Sequence, residues 1–326
     1  MNDLGNRELE LAAGCRVVGA GRGRDEVVGR LAPSPTGALH VGNARTFMVA
    51  WLKARFAGGR VILRIEDLDH PRDKPGAAAQ AVEDLRWLGF DWDEEYVQSE
   101  RRGLYRAALD KLVAAGLAYP CVCSRRDVEA AQSAPHDGEQ LRYPGTCRGH
   151  FATWEEAERA KGSAPCWRFR TPPGAVVEFD DEFAGGFRQD VAEALGDFPL
   201  ARDADGAGYT LAVAVDDAAM GVTEVVRGDD LLPATPAQIL VQRALGLPTP
   251  EYCHVPLVVG ADGRRLAKRH GDTRIATYRN AGVSAEAVIG RLAATCGWAG
   301  PGESVALEGL LRRFDLGTIP HRPIMV

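Results

Sequence analysis

Apolar and polar positions early in the chain predict a strand, a helix and a second strand. The apolar positions within 27–31 suit a short buried strand that stops before Pro33. From about Asn43, apolar residues recur at helical spacing as far as the glycine pair at 58–59. A second apolar strand at 61–65 ends in an acidic group. Because a strand, a helix and a strand in this order form a βαβ unit, the pattern predicts a parallel sheet.

The remainder of the chain alternates helical and sheet-like patterns around one irregular segment. Residues 77–118 alternate helical patterns with short loops, whereas residues 119–165 are rich in Cys, Pro, Gly and Arg and look like an insertion. Sheet-like segments are predicted at 167–170, 198–201, 209–215, 222–226 and 255–259, with a helix over 235–245. The final sixty residues fit short helices. The pattern predicts an α/β fold with an inserted subdomain and a short helical C-terminal part.

Composition excludes two classes of protein. Apolar residues make up 45% of the chain and charged residues 26%, as in ordinary soluble globular proteins. No stretch approaches the length of a membrane span, and the start of the chain lacks the apolar block of a secretory signal. We therefore expect a cytoplasmic protein. The net charge of −6 argues against broad, non-specific nucleic-acid binding but leaves room for a local basic surface.

The most specific feature is the segment 30–43, Arg-Leu-Ala-Pro-Ser-Pro-Thr-Gly-Ala-Leu-His-Val-Gly-Asn. It reads as a rigid, proline-kinked loop between a strand and a helix, and Gly37 and Gly42 permit close approach of the backbone. A helix N-terminus presents free N–H groups and a partial positive charge, which suit a nucleotide phosphate. His40, just before the helix, can add a hydrogen bond or a positive charge as phosphate charge builds up. The segment predicts a nucleotide site.

This segment resembles the HIGH-containing signature of class I aminoacyl-tRNA synthetases in its glutamyl form. The tetrapeptide His-Val-Gly-Asn differs from the family motif at its last position, where Asn43 can still donate a hydrogen bond. The basic run 265–269, Arg-Leu-Ala-Lys-Arg, resembles the KMSKS loop of the same class and retains only its second lysine, Lys268. The resemblance implies that His40, Gly42, Asn43 and Lys268 bind ATP and that His40 and Lys268 serve catalysis. It also implies a Rossmann-like catalytic core.

Glutamate carries two carboxylates and one ammonium, so its pocket needs two cationic sites and one acid. Arg30 and Arg227 can pair with the carboxylates, Glu66 can hold the ammonium, and Tyr209 adds a hydroxyl donor. In an open α/β sheet, the strand ends that carry such residues converge on one crevice. The resemblance implies a glutamate-binding set of Arg30, Ala32, Ser34, Glu66, Tyr209 and Arg227. It further implies that the glutamate carboxylate attacks the α-phosphate of ATP, which enters with Mg²⁺, to give glutamyl-adenylate and pyrophosphate.

Three of the seven cysteines lie close together in the sequence: Cys121, Cys123 and Cys147. In a cytoplasmic chain, such clustering suggests a metal before a disulfide, with free structural cysteines as the alternative. The fourth donor could be the Tyr143 phenolate, while His136 and His150 are the conventional choices. The arrangement is similar to the zinc site of the short paralogues called glutamyl-Q tRNA(Asp) synthetases, where a tyrosine occupies that position. The resemblance implies one structural Zn²⁺ per chain.

The chain continues for about sixty residues after the basic loop, which is shorter than the anticodon-binding part of a full glutamyl-tRNA synthetase. Together with the cysteine pattern, this points to the glutamyl-Q branch, whose members transfer activated glutamate to the queuosine base in the anticodon of tRNA(Asp). We expect a monomer acting on L-glutamate, ATP and queuosine-bearing tRNA(Asp). The alternatives are a truncated synthetase charging the 3′ end of tRNA(Glu) and a non-catalytic tRNA-binding paralogue.

The predicted organisation follows from this resemblance. It comprises a flexible extension over 1–25, the first half of the catalytic domain over 26–118, a zinc-binding insertion over 119–165, the second half with the KMSKS-like loop over 166–270, and a short helical region over 271–326.

Overall fold

The computed structural model describes residues 26–68, 73–131, 141–162, 164–202, 206–260 and 273–325. The extension predicted over 1–25, the basic run with Lys268 and the candidate ligand His136 lie outside these residues. Within them, no helix is both long enough and apolar enough to cross a membrane.

The helices of the described chain are α1 Val41–Phe56, α2 Ala77–Trp87, α3 Arg102–Ala114, α4 Arg125–Ala131, α5 Trp154–Lys161, α6 Val191–Ala194, α7 Tyr209–Ala219, α8 Thr235–Leu245, α9 Ile275–Asn280 and α10 Ala285–Ala294. The strands are β1 Val28–Leu31, β2 Arg60–Ile65, β3 Glu94–Val97, β4 Ala118–Cys121, β5 Cys166–Phe169, β6 Val176–Asp181, β7 Gly185–Asp190, β8 Pro199–Ala201, β9 Glu224–Gly228, β10 Glu251–Val255, β11 Val258–Val259 and β12 Ile324–Met325.

The predicted βαβ unit is confirmed, because β1 and β2 pair in parallel across helix α1, and β3 continues the sheet in parallel beyond β2. A second sheet has the order β7-β6-β10-β9, in which β6, β10 and β9 are parallel. The two sheets meet beside β1, where Thr223 N–H donates to the Val28 carbonyl at 3.0 Å. Strands β2 and β9 therefore flank β1 on opposite sides, which opens a crevice at the carboxyl end of β1.

Both faces of this parallel sheet are covered. Along β2, Ile62 and Leu63 are fully buried in two different apolar clusters. One cluster includes α1 and α10, and the other includes α3, α7 and α8. A parallel sheet buried on both faces is built from near-continuous apolar strands, as the sequence of β2 predicts. The α/β class and the parallel sheet are therefore confirmed.

Two strand predictions are wrong in detail. The segment predicted as a strand at 209–215 forms helix α7, since a short apolar run does not by itself distinguish a buried strand from a buried helix. All residues from Leu211 to Val215 are buried, so the run lacks the polar face that marks a surface helix. The strand predicted at 255–259 is split into β10 and β11 by Pro256, which has no N–H to donate to a ladder.

The sequence patterns also missed β3 and the antiparallel hairpin of β6 and β7. Strand β3, Glu-Glu-Tyr-Val, is polar and only partly buried at the edge of its sheet, so apolar periodicity gives no signal for it. The cysteine-bearing segment leaves the core through β4, which pairs with β5 in an antiparallel sheet that β8 completes. A small apolar cluster that contains Cys121, Tyr143 and Cys147 packs beside this sheet.

Candidate active site

A cleft of about 670 Å³ lies at the carboxyl ends of β1, β2 and β9. The predicted glutamate-binding residues and the described residues of the predicted ATP site all line it: Arg30, Ala32, Ser34, His40, Gly42, Asn43, Glu66, Tyr209 and Arg227. Residues far apart in sequence thus meet in one crevice, as the convergence of strand ends predicts.

Arg30 lies in β1 and is buried beneath the cleft, with 5% of its surface exposed. Its Nη1 donates to the Val226 carbonyl of β9 at 2.9 Å, and its Nε lies 3.8 Å from the carboxylate of Asp217. Burial lowers the pKa of Arg30, while the charge of Asp217 opposes this shift. The Nε–H of Arg30 has no hydrogen-bond partner in the described chain, so it can donate a hydrogen bond to a ligand at the bottom of the cleft.

Glu66 follows β2 directly and is held by an arginine of the same strand. Arg64 donates from Nη2 to Glu66 at 3.1 Å and from Nη1 to Asp217 at 2.6 Å. Burial raises the pKa of Glu66, and the charge of Arg64 counteracts that rise. Arg30, Arg64, Glu66 and Asp217 thus form a cluster of two cations and two acids, in which Arg64 contacts both acids and Arg30 pairs with Asp217. The carboxylate of Glu66 is anchored at the edge of this neutral cluster, facing the cleft.

Arg227, in β9, is buried opposite Glu66 and makes its described hydrogen bonds to neutral groups. Its Nη2 donates to Thr235 Oγ1 at 2.7 Å and to Gln238 Oε1 at 2.8 Å, and its Nη1 reaches the Tyr209 hydroxyl at 3.4 Å. Although 42% of the Tyr209 surface is exposed, desolvation of its hydroxyl within the cleft raises the pKa of this tyrosine, so the hydroxyl stays protonated at neutral pH. Arg227 therefore brings a positive charge to the cleft that these partners do not neutralise.

His40 is the N-cap of α1, and its Nδ1 accepts from the N–H groups of Gly42 at 3.2 Å and Asn43 at 3.4 Å. The preceding helical N–H, that of Val41, donates to the Thr273 carbonyl at 3.0 Å. The expectation of unpaired N–H groups at this helix start is therefore wrong for the first three helical residues. With Nδ1 accepting, a neutral His40 carries its proton on Nε2, which can donate to a ligand.

After the basic run, residues 273–275 contact the segment that precedes α1. Ile275 N–H donates to the Leu39 carbonyl at 2.9 Å, and residues 274 and 40 form an antiparallel bridge. Thr273 follows Lys268 by five residues in the sequence. The first described residues after the basic run, 273–275, are therefore joined by backbone hydrogen bonds to the segment that precedes α1.

Sequence reasoning missed several residues that build the site: Arg64, Asp181, Asp217, Thr235, Gln238 and His254. A signal exists for two of them. Arg64 interrupts the apolar run of β2, and Asp217 sits in a largely apolar helix, so each places a charge in a buried element that needs a partner. The others are recognisable only from the fold, because their partners come from distant segments.

The cysteine cluster forms a second candidate site, away from the residues that line the cleft. The sulfurs of Cys121, Cys123 and Cys147 all lie within 4.8 Å of one another. The Tyr143 hydroxyl lies 3.2 Å from the Cys121 sulfur and 3.7 Å from the Cys123 sulfur, and the sulfurs of Cys123 and Cys147 are 3.5 Å apart. Thiolate–zinc bonds of about 2.3 Å place two sulfurs of a tetrahedral site about 3.8 Å apart. Three sulfurs and one oxygen therefore fit a tetrahedral ion, whereas the described His150 is not part of the group.

The surroundings of Cys121 favour the thiolate that a metal requires. Hydrogen bonds with Cys166 and Tyr143, and the guanidinium of Arg168, lower the pKa of Cys121 to about 4. Arg168 Nε donates to the Cys121 sulfur at 3.1 Å, and its guanidinium lies 3.8 Å from the centre of the Tyr143 ring. Cys147 N–H donates to the Tyr143 hydroxyl at 2.8 Å, which fixes that oxygen among the sulfurs.

Comparison with known proteins agrees with this geometry. The family model described as tRNA synthetases class I (E and Q), catalytic domain, matches residues 26–324. A glutamyl-Q tRNA(Asp) synthetase from Symbiobacterium thermophilum is 52% identical over 310 residues, which cover 91% of this chain and 95% of that protein. A glutamate–tRNA ligase from Aquifex aeolicus is 41% identical over 298 residues, which cover 90% of this chain and 63% of that ligase.

A crystal structure of a glutamate tRNA ligase from Elizabethkingia meningosepticum, in complex with its amino acid, superposes with a TM-score of 0.77 at 28% identity. The match covers 92% of this chain and 67% of that one. The resemblance that the sequence motifs indicate is thereby confirmed, both in sequence and in fold. The chain belongs to the class I tRNA synthetases of the glutamate and glutamine type and is a ligase of that family.

Proposed function

We propose that this enzyme activates L-glutamate with ATP and transfers it to the queuosine base in the anticodon of tRNA(Asp). The observation that supports the first half is the pattern of charges in the cleft. A neutral cluster that includes Arg30 and Glu66 lies opposite the uncompensated Arg227. A ligand with one ammonium and two carboxylates complements these groups, since Glu66 can accept from the ammonium and each arginine can pair with a carboxylate.

The same cleft offers a place for the nucleotide beside the glutamate site. ATP with its Mg²⁺ would lie along Gly42 and Asn43, with His40 donating from Nε2 and Lys268 supplying a positive charge to the phosphates. Activation then consists of attack by the glutamate α-carboxylate oxygen on the α-phosphate, with pyrophosphate leaving. No side chain needs to form a covalent bond with the substrate, so catalysis comes from positioning and charge stabilisation.

The proposed acceptor is supported by the relatives and by the cysteine cluster. The relatives named glutamyl-Q tRNA(Asp) synthetase from Symbiobacterium thermophilum and Rhodopirellula baltica are 52% and 46% identical over about nine tenths of this chain. Bases of an anticodon loop are unpaired and can be presented directly to an active-site crevice. An enzyme whose target lies in that loop needs one contact surface rather than two distant ones. The basic residues of the loop 264–270 and the cysteine-bearing segment would flank the bound anticodon loop and position its phosphates.

The second candidate function, charging the 3′ end of tRNA(Glu), is favoured by the matches to glutamate–tRNA ligases, such as the 41% identity to the protein from Aquifex aeolicus. A non-catalytic tRNA-binding role would require a degenerate activation site. The glutamate-binding set and His40 are all retained and gathered in one cleft, which argues against that third candidate.

Labelled glutamate distinguishes the acceptors. We expect the enzyme to label tRNA(Asp) that carries queuosine, to leave the same tRNA without queuosine unlabelled, and to form glutamyl-adenylate in the absence of tRNA. After nuclease digestion, the label should map to the anticodon fragment. This mapping is essential, because periodate pretreatment of the tRNA would not distinguish the two acceptors: it attacks both the 3′ end and the queuosine diol. Label on the 3′-terminal adenosine of tRNA(Glu), with none on the anticodon fragment of tRNA(Asp), would establish the charging function instead.

The cysteine cluster is proposed to hold one structural Zn²⁺ through Cys121, Cys123, Tyr143 and Cys147. An ion at this position would tie β4 to the loop that follows Tyr143. The same loop is fixed from the other side by Gly196, which has a φ of +64° and lies so close that an added Cβ would meet the Tyr143 carbonyl at 2.2 Å. Any larger residue at 196 would displace the tyrosine.

Elemental analysis tests this site. We expect about one zinc per chain in freshly purified, unchelated protein and much less in the Cys147→Ser variant, because a tetrahedral structural site loses one of its four donors. The Cys253→Ser variant is the matched control, since Cys253 is buried in the sheet core and should leave the zinc content unchanged. Metal-free wild-type protein would identify the three cysteines as packing residues only.

We also propose that the enzyme works as a monomer in the cytoplasm. Large exposed apolar side chains in the described part of the chain are few and come from separate elements: Phe56, Leu104, Tyr209, Val283 and Met325. So few exposed apolar side chains provide less apolar surface than an obligate subunit interface buries.

A further inference from the structure

The guanidinium of Arg227 is held on one edge by a histidine that the proposed activation chemistry does not use. Arg227 Nε donates to His254 Nε2 at 2.9 Å, and Thr235 Oγ1 lies 3.2 Å from the same nitrogen. His254, on the neighbouring strand β10, is 1% exposed and is not among the residues that line the cleft. Its position in register with Arg227 follows from the parallel pairing of β10 with β9.

His254 is itself fixed by a buried carboxylate. Asp181, at the end of β6, lies with Oδ2 2.5 Å from His254 Nδ1. Its Oδ1 accepts three backbone N–H groups, those of His254 at 3.0 Å, Phe183 at 3.1 Å and Ala184 at 2.8 Å. The Asp181 side chain is fully buried, so it cannot turn to another partner without leaving these N–H groups unpaired. The carboxylate is therefore a rigid anchor for the imidazole.

We propose that His254, held in one tautomer by Asp181, is a positioning residue that fixes the Arg227 guanidinium in the orientation that binds a glutamate carboxylate. This inference rests on the proposed function, in which Arg227 binds glutamate. It assigns a role to two residues that do not line the cleft.

The donors and acceptors of Arg227, His254 and Asp181 fix the direction of each hydrogen bond between them. Arg227 Nε is a donor, so His254 Nε2 must present its lone pair, and the imidazole proton must lie on Nδ1. Nδ1–H then donates to Asp181. Burial lowers the pKa of His254, and the charge of Arg227 acts in the same direction. Together they outweigh the hydrogen bond and the charge of Asp181, which raise this pKa, so the ring stays neutral at neutral pH. A carboxylate in direct contact with Arg227 would compete with the substrate for the cation, whereas a neutral imidazole holds the guanidinium without neutralising it.

Three variants test the contacts from Asp181 through His254 to Arg227, with ATP–pyrophosphate exchange as the assay. Asp181→Asn keeps the shape but places an amide N–H₂ group where Nδ1 can accept, which favours the tautomer with a proton on Nε2 facing the donor of Arg227. His254→Leu removes the acceptor, and His254→Gln can restore one, because its Oε1 occupies roughly the place of Nε2. We expect KM for glutamate to rise at least about tenfold in Asp181→Asn and His254→Leu, with recovery in His254→Gln. KM for ATP should change less than about twofold.

Cys253→Ala is the matched control. Cys253 lies between Tyr252 and His254 on β10 but packs in the other apolar cluster, so it loosens the same strand on the opposite face. Equal increases of the two KM values in the Asp181 and His254 variants, or an increase in Cys253→Ala as large as in His254→Leu, would reduce His254 to a structural residue.

Arg227→Ala separates this proposal from the proposed function. If Arg227→Ala raises KM for glutamate strongly while Asp181→Asn, His254→Leu and His254→Gln all keep the wild-type value, Arg227 binds glutamate and the positioning role is overturned. If Arg227→Ala itself keeps the wild-type KM for glutamate, Arg227 does not bind the substrate, and the proposed glutamate site is refuted together with the positioning role that depends on it. Circular dichroism and the melting temperature of each variant report whether it is folded. Should His254→Leu fail to fold, Asp181→Asn and His254→Gln decide the question.

Discussion

Replacing Arg227 with alanine is expected to lower kcat/KM for glutamate in ATP–pyrophosphate exchange by about 30- to 700-fold. A charge-assisted contact of this kind contributes on the order of 2–4 kcal/mol, and about 1.4 kcal/mol corresponds to a factor of ten. Arg227 is 4% exposed and is fixed by Thr235, Gln238 and His254, so no neighbouring cation can take its place without moving the sheet. Arg227→Lys should recover little, since lysine cannot offer the planar two-donor edge.

Glu66→Ala tests the opposite end of the same site. It should lower exchange to a similar degree by removing the acceptor for the substrate ammonium, while circular dichroism shows that the sheet persists. Arg188→Ala is the control, because Arg188 is an exposed residue of β7 that pairs with Glu178 at 2.7 Å and does not line the cleft. Near-normal exchange in both Arg227→Ala and Glu66→Ala would refute the assignment of the glutamate site.

The parallel core could be predicted from the sequence because its strands carry a strong local signal. Strands β1 and β2 are short apolar runs bounded by proline, glycine or acidic residues, and α1 has helical spacing between them. The apolar run at 211–215 in α7 predicts a strand wrongly, because all of its residues are buried and it therefore shows no helical period of polar positions. Strand β3 was missed because its stability comes from pairing with β2 at the sheet edge rather than from its own apolar residues.

The candidate site was predictable to the extent that its residues sit in motifs or at strand ends. Arg30, Glu66 and Arg227 each lie at or just after the carboxyl end of a parallel strand, so their convergence follows from topology alone. The positions of the residues that hold these three side chains in place cannot be predicted in this way. Asp217 belongs to α7 and Asp181 to β6, and no spacing in the sequence relates them to the strands that they support.

The sequence motifs therefore identify the groups that meet the substrate, whereas the groups that fix their geometry become visible only in the fold. Arg64 shows this most clearly. It lies near the carboxyl end of the apolar strand β2, is fully buried, and joins Asp217 on α7 to Glu66 at the rim of the cleft. Its guanidinium pairs with both of these buried carboxylates at once.

Arg64→Met is accordingly expected to lower the free energy of unfolding by about 3–5 kcal/mol, because the buried Glu66 loses its described ion-pair partner and Asp217 keeps only the longer contact with Arg30. The arginine of the exposed pair between Arg188 and Glu178 provides the comparison, and Arg188→Met should cost less than about 1 kcal/mol. Denaturant unfolding of both variants at neutral pH measures the difference. A loss in Arg64→Met no larger than that in Arg188→Met would mean that water or rearrangement compensates the buried acids.

The loss of stability in Arg64→Met is also expected to depend on pH, in a direction that follows from the pKa of Glu66. Burial raises the pKa of Glu66 above its usual value of 4.5, and the charge of Arg64 opposes the rise. Without Arg64 the folded-state pKa of Glu66 should rise further, while the pKa in the unfolded chain stays the same. An acid whose pKa is higher in the folded state destabilises the fold where it is ionised, and this effect fades as pH falls through the folded-state pKa. The deficit of Arg64→Met relative to wild type should therefore be largest near neutral pH and should shrink on acidification. A deficit that is constant with pH, measured by unfolding at a series of pH values, would show that lost packing of the arginine stem, rather than an unpaired carboxylate, accounts for the loss.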